Sequence, residues 1–182
     1  MPSTFDELLP HSDYADDLSQ YPVATAQEKA LDVYQRLIDD DRPPDLVIAA
    51  DSVILHQGSI LEKPGTHEEN LRMLRDLNAG SHEVVTGVVV IVPRIQSPGF
   101  EVKSLLEKTR VFFHDYPLSL LEAYAASGEG WDRAGGYAIQ QQGALLVQRI
   151  EGDYANVVGM PMSAFVRWLS DALEHDELFE DE

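Results

Sequence analysis

The residues best suited to chemistry gather around one segment, AADSVILHQGSILEKP, residues 49–64. An apolar run, Leu46-Val47-Ile48-Ala49-Ala50, leads to a carboxylate, Asp51, and apolar residues resume at Val53-Ile54-Leu55. A carboxylate inside a buried strand is costly unless it is paired, protonated or metal-bound. Asp51 therefore either faces a ligand cleft at the end of a strand or caps a bulge or turn, and spacing alone leaves both open. A cleft-facing carboxylate can deprotonate or orient water and can hold a hard divalent cation. Lys63, beside Pro64, offers a compact point charge of the kind that binds phosphate, or is an ordinary surface lysine. On the same terms Lys29 reads as a solvated helix residue and Gln140 as a strand-edge amide. The histidines, His11, His56, His67, His82, His114 and His175, have no paired ligand spacing such as His-x-x-x-His, and none is assigned to a metal.

Composition bounds the rest. The 182 residues suit one domain, or one domain with two lobes, and a 44% hydrophobic fraction supplies a core. There are no cysteines, which excludes disulfides, thiolate metal sites and cysteine nucleophiles. The formal net charge of −19 argues against nucleic-acid and anionic-membrane partners. A nucleotide would need local cations or a divalent ion to reverse that field. The N-terminus lacks the basic start and apolar middle of a signal peptide, so a cytoplasmic location is the default expectation.

The elements that must position these residues alternate between helix and strand, which predicts an α/β fold. Residues 1–24, punctuated by Pro2, Pro10 and Pro22, read as irregular. Thr25-Ala26-Gln27-Glu28 reads as a capping box opening a helix to about Ile38. Residues 46–55 read as a strand, and His56-Gln57-Gly58-Ser59 as a turn into a short second strand. Thr66 to Glu69 is a second capping box, with Gly80 as C-cap of its helix. HEVVTGVVVIV is a long strand, residues 101–114 carry another, Pro117 opens a helix that Gly128 closes, GALLVQRIEG is a further strand, and residues 162–175 form the last helix.

Several of these segments, in order, resemble the Maf family of nucleoside triphosphate pyrophosphatases. They are Gln27-Glu28-Lys29-Ala30, Ala50-Asp51-Ser52, Lys63-Pro64 and His82-Glu83-Val84-Val85-Thr86-Gly87-Val88. Further along, SGEGWDRAGGYAIQQQGALLVQRIEGDYANVVGMP is similar to the family's second hallmark. The resemblance implies a two-lobed, Maf/ITPase-like fold, with a twisted mixed sheet flanked by helices around a central cleft. It implies a single domain over residues 1–176, followed by an acidic tail, 177–182. It also implies hydrolysis of (d)NTPs, with dTTP, UTP or modified pyrimidine nucleotides expected as substrates, to monophosphate and pyrophosphate.

Carried over by position, Asp51 falls on the catalytic carboxylate and metal acid, and Glu7 on a second acidic position that helps hold Mg²⁺ or Mn²⁺. Lys29 and Lys63 fall on substrate-binding lysines, and Ser52 and Gln140 on positions that select the base. Ser52 replaces the usual Thr, and Gln141 stands where many relatives have Gly. Arg133 stands where relatives carry a basic residue and either touches phosphate or pairs with Asp132. The resemblance also implies a homodimer as a candidate assembly. The family's opening strand and Ser-x-x-Arg phosphate loop have no counterpart in this sequence. That implies impaired turnover, and as an alternative a nucleotide-binding or protein-interaction module that keeps the fold without the activity.

Overall fold

The computed structural model describes residues 1–6, 9–39, 41–94 and 99–174. The expected metal acid Glu7 and the expected acidic tail, 177–182, lie outside the described residues. The elements are α1 (Tyr21–Leu37), β1 (Val47–His56), β2 (Ser59–Leu61), α2 (His67–Leu77), β3 (Ser81–Pro93) and β4 (Phe100–Phe113), then α3 (Leu118–Ser127), β5 (Val147–Glu151), α4 (Tyr154–Val158) and α5 (Met162–Glu174). The α/β class expected from the sequence is the one observed. The strands hydrogen-bond in the order β2-β1-β3-β4-β5, and the β1–β2 and β4–β5 ladders are antiparallel. The chain divides into two compact units, and β1, β3 and β4 each contribute residues to both.

The first unit comprises residues 1–51, 86–107 and 160–182. Its strand segments carry a helix on each face. Val47, Val89 and Ile91 pack with Ala26, Ala30 and Tyr34 of α1. Val88, Val90 and Val92 pack with Phe165 and Ala172 of α5. Alternate residues of one strand thus enter two different cores, which is why Val88 to Val92 is apolar without interruption. Gly87 lies against α1 so closely that a Cβ there would sit 2.5 Å from the Val23 backbone.

Helix α1 begins at Tyr21, four residues before the expected capping box. Pro22 occupies its first turn, where a missing N–H costs nothing. Tyr21 is buried and meets His11 and Tyr14 edge-on. Thr25 is consequently an interior helix residue, buried, and does not cap. The preceding segment is also less irregular than expected: 3₁₀ turns span His11–Tyr14 and Leu18–Gln20, the second capped by Asp17, whose side chain accepts from the Ser19 N–H.

The second unit comprises residues 52–85 and 108–159. The expected turn joins β1 to β2, with Gln57 and Gly58 both at positive φ (49° and 75°) and His56 opposite Ser59. That is the two-residue hairpin geometry whose twist matches the strands. Thr66 caps α2 by accepting from the Glu69 N–H at 3.1 Å, and the Glu69 carboxylate reaches back to the Gly65 N–H at 2.9 Å. The left-handed residue after α2 is Ala79 (φ 57°), not Gly80. The core of this unit joins Leu74 and Leu77 of α2, Leu121 and Tyr124 of α3, and Ile54, Val84, Val111 and Phe113 of the strands. The strand expected over GALLVQRIEG is half as long: Gln141–Leu145 form a 3₁₀ turn and only Val147–Glu151 pair with β4.

Candidate functional site

Strand alternation aims Asp51. Val47 and Ala49 pack into the α1 core, while Leu46 and Ala50 pack into the α5 core. Asp51 shares the parity of Val47 and Ala49, so its side chain leaves β1 on the α1 side. There the Lys29 ammonium donates to Asp51 Oδ1 at 2.7 Å. Lys29 lies on α1 beside the buried Ala26 and Ala30, and its position next to that apolar stripe brings its stem against the sheet. The two side chains are only 17% and 11% exposed. Lys29, Val33 and Leu37 of α1, with Ile48, Ala49 and Ala50 of β1, also line a cavity of about 340 Å³. A space of that size is within the range of small-molecule sites. The apparent anomaly of an acid within an apolar strand is therefore met by an ion pair at the margin of open space.

The other residues singled out in the sequence take these places. Ser52, next along β1, projects by the same alternation to the opposite face of the strand from Asp51. Lys63 lies in the loop after β2 and pairs with Asp132 at 3.2 Å, with both side chains largely exposed. Asp132, expected as one possible partner of Arg133, is thus engaged by Lys63, and Arg133 is exposed. Gln140 is not on a strand edge. It is an exposed residue of a bend that leads into the 3₁₀ turn. Gln141 follows at φ 55°, in the left-handed region where an L side chain is strained. Lys29 and Asp51 belong to the first unit, and Ser52, Lys63 and Gln140 to the second.

The His82-x-Val-x-Thr-Gly motif serves a buried cluster. His82 Nε2 and the Tyr137 hydroxyl lie 2.7 Å apart. Phe113 meets both rings edge-on. Burial, with a smaller contribution from His56, pushes the His82 pKa down to about 3, so the ring is neutral at ordinary pH. Burial also pushes the Tyr137 phenol up. The second ring nitrogen, Nδ1, is buried and has no hydrogen-bond partner among the described residues.

No group of three potential metal-ligating side chains occurs among the described residues. Mg²⁺ does not need one: it keeps several waters and binds through one or two carboxylates together with substrate phosphates. Asp51, a carboxylate paired with the cavity-lining Lys29, fits that requirement.

Fold and site together define an α/β protein with a lysine–carboxylate pair set where a central strand meets its flanking helix. A family model described as Maf-like protein matches residues 1–172, and the chain belongs to that family. Its curated relatives include the dTTP/UTP pyrophosphatase of Schizosaccharomyces pombe, 41% identical over 163 residues that cover 87% of this chain and 68% of the yeast protein. The dTTP/UTP pyrophosphatase of a Geobacillus species is 46% identical over 132 residues, 72% of this chain and 68% of its own. A human protein named as a probable bifunctional dTTP/UTP pyrophosphatase/methyltransferase is 40% identical over 172 residues, 93% of this chain but 28% of the human one.

One structural contact set has no signal in the sequence. Glu129 belongs to the Ser127-Gly128-Glu129 motif, yet nothing in its spacing reveals what it binds. Its partners lie up to 14 residues away and are mostly backbone N–H groups.

Proposed function

We propose that this chain hydrolyses nucleoside triphosphates at the α–β phosphoanhydride, releasing a nucleoside monophosphate and pyrophosphate, with a preference for dTTP, UTP or modified pyrimidine nucleotides. The observation that carries this reading is the Lys29–Asp51 contact at the margin of the cavity. A water molecule attacks the phosphorus, the bridging P–O bond breaks toward the leaving group, and the water's proton passes to the Asp51 carboxylate. Lys29 keeps that carboxylate oriented and supplies positive charge close to the phosphates. Such a charge matters in a chain whose formal net charge is −19. Lys63, exposed and paired with Asp132, is the second phosphate contact. The Gln140 amide pairs with the carbonyl and N–H edge of a pyrimidine, and the Ser52 hydroxyl assists in selecting the base.

A divalent cation held by Asp51, with Glu7, would neutralise phosphate charge when bound. Support for the substrate class comes from the relatives named as dTTP/UTP pyrophosphatases. The test is turnover of a nucleotide panel by the purified chain with Mg²⁺ or Mn²⁺, and again after chelation, with products resolved by chromatography. The expected result is monophosphate plus pyrophosphate, faster from UTP and dTTP than from ATP and GTP, and lost on chelation. Diphosphate plus inorganic phosphate would contradict the reaction, and equal use of purines would contradict the base preference. Nucleotide binding without turnover would favour the non-catalytic alternative.

A further inference from the structure

We propose that Glu129 is the positioning residue for the loop that presents Gln140, and so controls nucleotide selectivity without touching the substrate. The proposal rests on the reading of Gln140 as a base contact. Helix α3 ends at Ser127, and Gly128 turns left-handed at φ 76°. The Ser127 hydroxyl donates to the Tyr124 carbonyl at 2.6 Å and accepts from the Glu129 N–H at 3.3 Å, which fixes the direction in which Glu129 leaves the helix. The carboxylate is thereby aimed at residues 138–143.

Its contacts are specific. Glu129 Oε1 accepts from the Gly143 N–H at 2.8 Å and from the Tyr124 hydroxyl at 3.3 Å. Oε2 accepts from the Gln142 N–H at 3.1 Å. The Tyr124 oxygen in turn accepts from the Ala138 N–H at 3.1 Å. Burial, and secondarily the Glu129 charge, push the Tyr124 phenol up to about 12, so it keeps the proton it donates. Three loop N–H groups, at 138, 142 and 143, therefore converge on one carboxylate–phenol pair. Among the described residues, the partners of Glu129 are N–H and O–H donors rather than a cation.

The loop so closed leaves Gln140 at its apex. Ile139 is buried on one side of it, and Gln141 is left-handed on the other. The two ends of the loop touch: a Cβ on Gly143 would fall 1.8 Å from the Ala138 carbonyl oxygen and 2.8 Å from the Tyr124 hydroxyl. Within this closed turn the backbone at Gln140 has little freedom. Misplacing a substrate-positioning group by about 1 Å can cost about 10²-fold in rate. An exposed side chain whose backbone is clamped on both flanks is a means of presenting an amide in one place.

In Glu129→Gln, one carboxylate oxygen becomes an NH₂ facing an N–H donor, so one loop contact is lost while size is kept. Tyr124→Phe removes the hydroxyl that links Glu129 to Ala138 and is a milder second variant should the first fold poorly. Both are compared with Gln140→Ala and with the Glu129→Gln/Gln140→Ala double variant. The readouts are kcat and KM for UTP and ATP, and amide hydrogen exchange at residues 138, 142 and 143. We expect Gln140→Ala to reduce the UTP-over-ATP ratio of kcat/KM by about 10-fold or more. Glu129→Gln should reduce that ratio in the same direction, mainly through the KM for UTP, with faster exchange at the loop N–H groups. The double variant should show no further loss of selectivity beyond Gln140→Ala. If Gln140→Ala changes selectivity and Glu129→Gln and Tyr124→Phe slow both nucleotides equally or not at all, the positioning role is overturned while the proposed function stands. If Gln140→Ala leaves selectivity unchanged, the base-contact reading falls, and the inference falls with it.

Discussion

Lys29 and Asp51 are separated by 22 residues in the chain, and the ammonium lies 2.7 Å from the carboxylate oxygen. The contact exists because Asp51 has the strand parity that faces α1, while Lys29 sits beside the stripe of α1 that packs onto the strands. Charge, shape and fold therefore meet at one pair. Removing the cation alone should expose their coupling. Lys29→Met keeps the stem and leaves a half-buried carboxylate without its ammonium. The expected loss is about 1.5–3 kcal/mol, the range for hydrogen bonds to charged groups. Urea denaturation of both single variants and of Lys29→Met/Asp51→Asn checks it. The double variant should be more stable than the sum of the single losses predicts.

His82 should make stability fall with acid. Its folded-state pKa is about 3, below the ordinary value of 6.5. Between these values the unfolded chain holds more protons than the folded one, so stability rises with pH across the window. The contribution is fully present above about pH 6.5 and is lost progressively as pH falls toward 3, at up to about 1.4 kcal/mol per pH unit. Carboxylates also titrate in the lower part of that window, so the comparison is with His82→Gln, which does not titrate. Thermal melts between pH 7 and pH 5 should show a shallower decline for the variant. An unchanged slope would mean that His82 is not the group responsible.

The strain at Gln141 predicts a stabilising substitution. A left-handed residue with a Cβ costs about 1–2 kcal/mol, and Gly returns part of that as unfolded-state entropy. Gln141→Gly should therefore raise stability by up to about 1 kcal/mol in chemical denaturation. A loss instead would show that the Gln141 side chain makes stabilising contacts that outweigh its backbone.

The apolar runs Leu46 to Ala50 and Val88 to Val92 made β1 and β3 readable, and the second is unbroken because its alternate residues enter two different cores. The start of α1 was not readable, because Thr25 to Glu28 mimics a cap. The true start depends on Pro22 and on Tyr21 being buried against His11 and Tyr14, contacts between residues with no periodic signature. The half-length of β5 was hidden for a similar reason. Ala144-Leu145-Leu146 run without a break into Val147 and so read as one apolar strand, but Glu129 takes the Gln142 and Gly143 N–H groups away from any ladder. At the site, Asp51 stood out as an acid within apolar neighbours. Lys29 did not, since a lysine on a helix is unremarkable until the strand it reaches is known. The partner of Lys63 also had no local signal, because Asp132 lies 69 positions further on and is brought to it by the fold.

The central claim is that Asp51 is the proton acceptor of the reaction. It is tested most directly by UTP turnover in Asp51→Asn, measured with Mg²⁺ and beside the melting temperature of the same sample. The asparagine keeps the shape and an oxygen for Lys29 but cannot take a proton at neutral pH. The account predicts a loss of kcat of at least about 10²-fold, in a protein that still folds and melts cooperatively but below the parent, because the Lys29 ion pair is lost. A variant that releases pyrophosphate at the parental rate would contradict it.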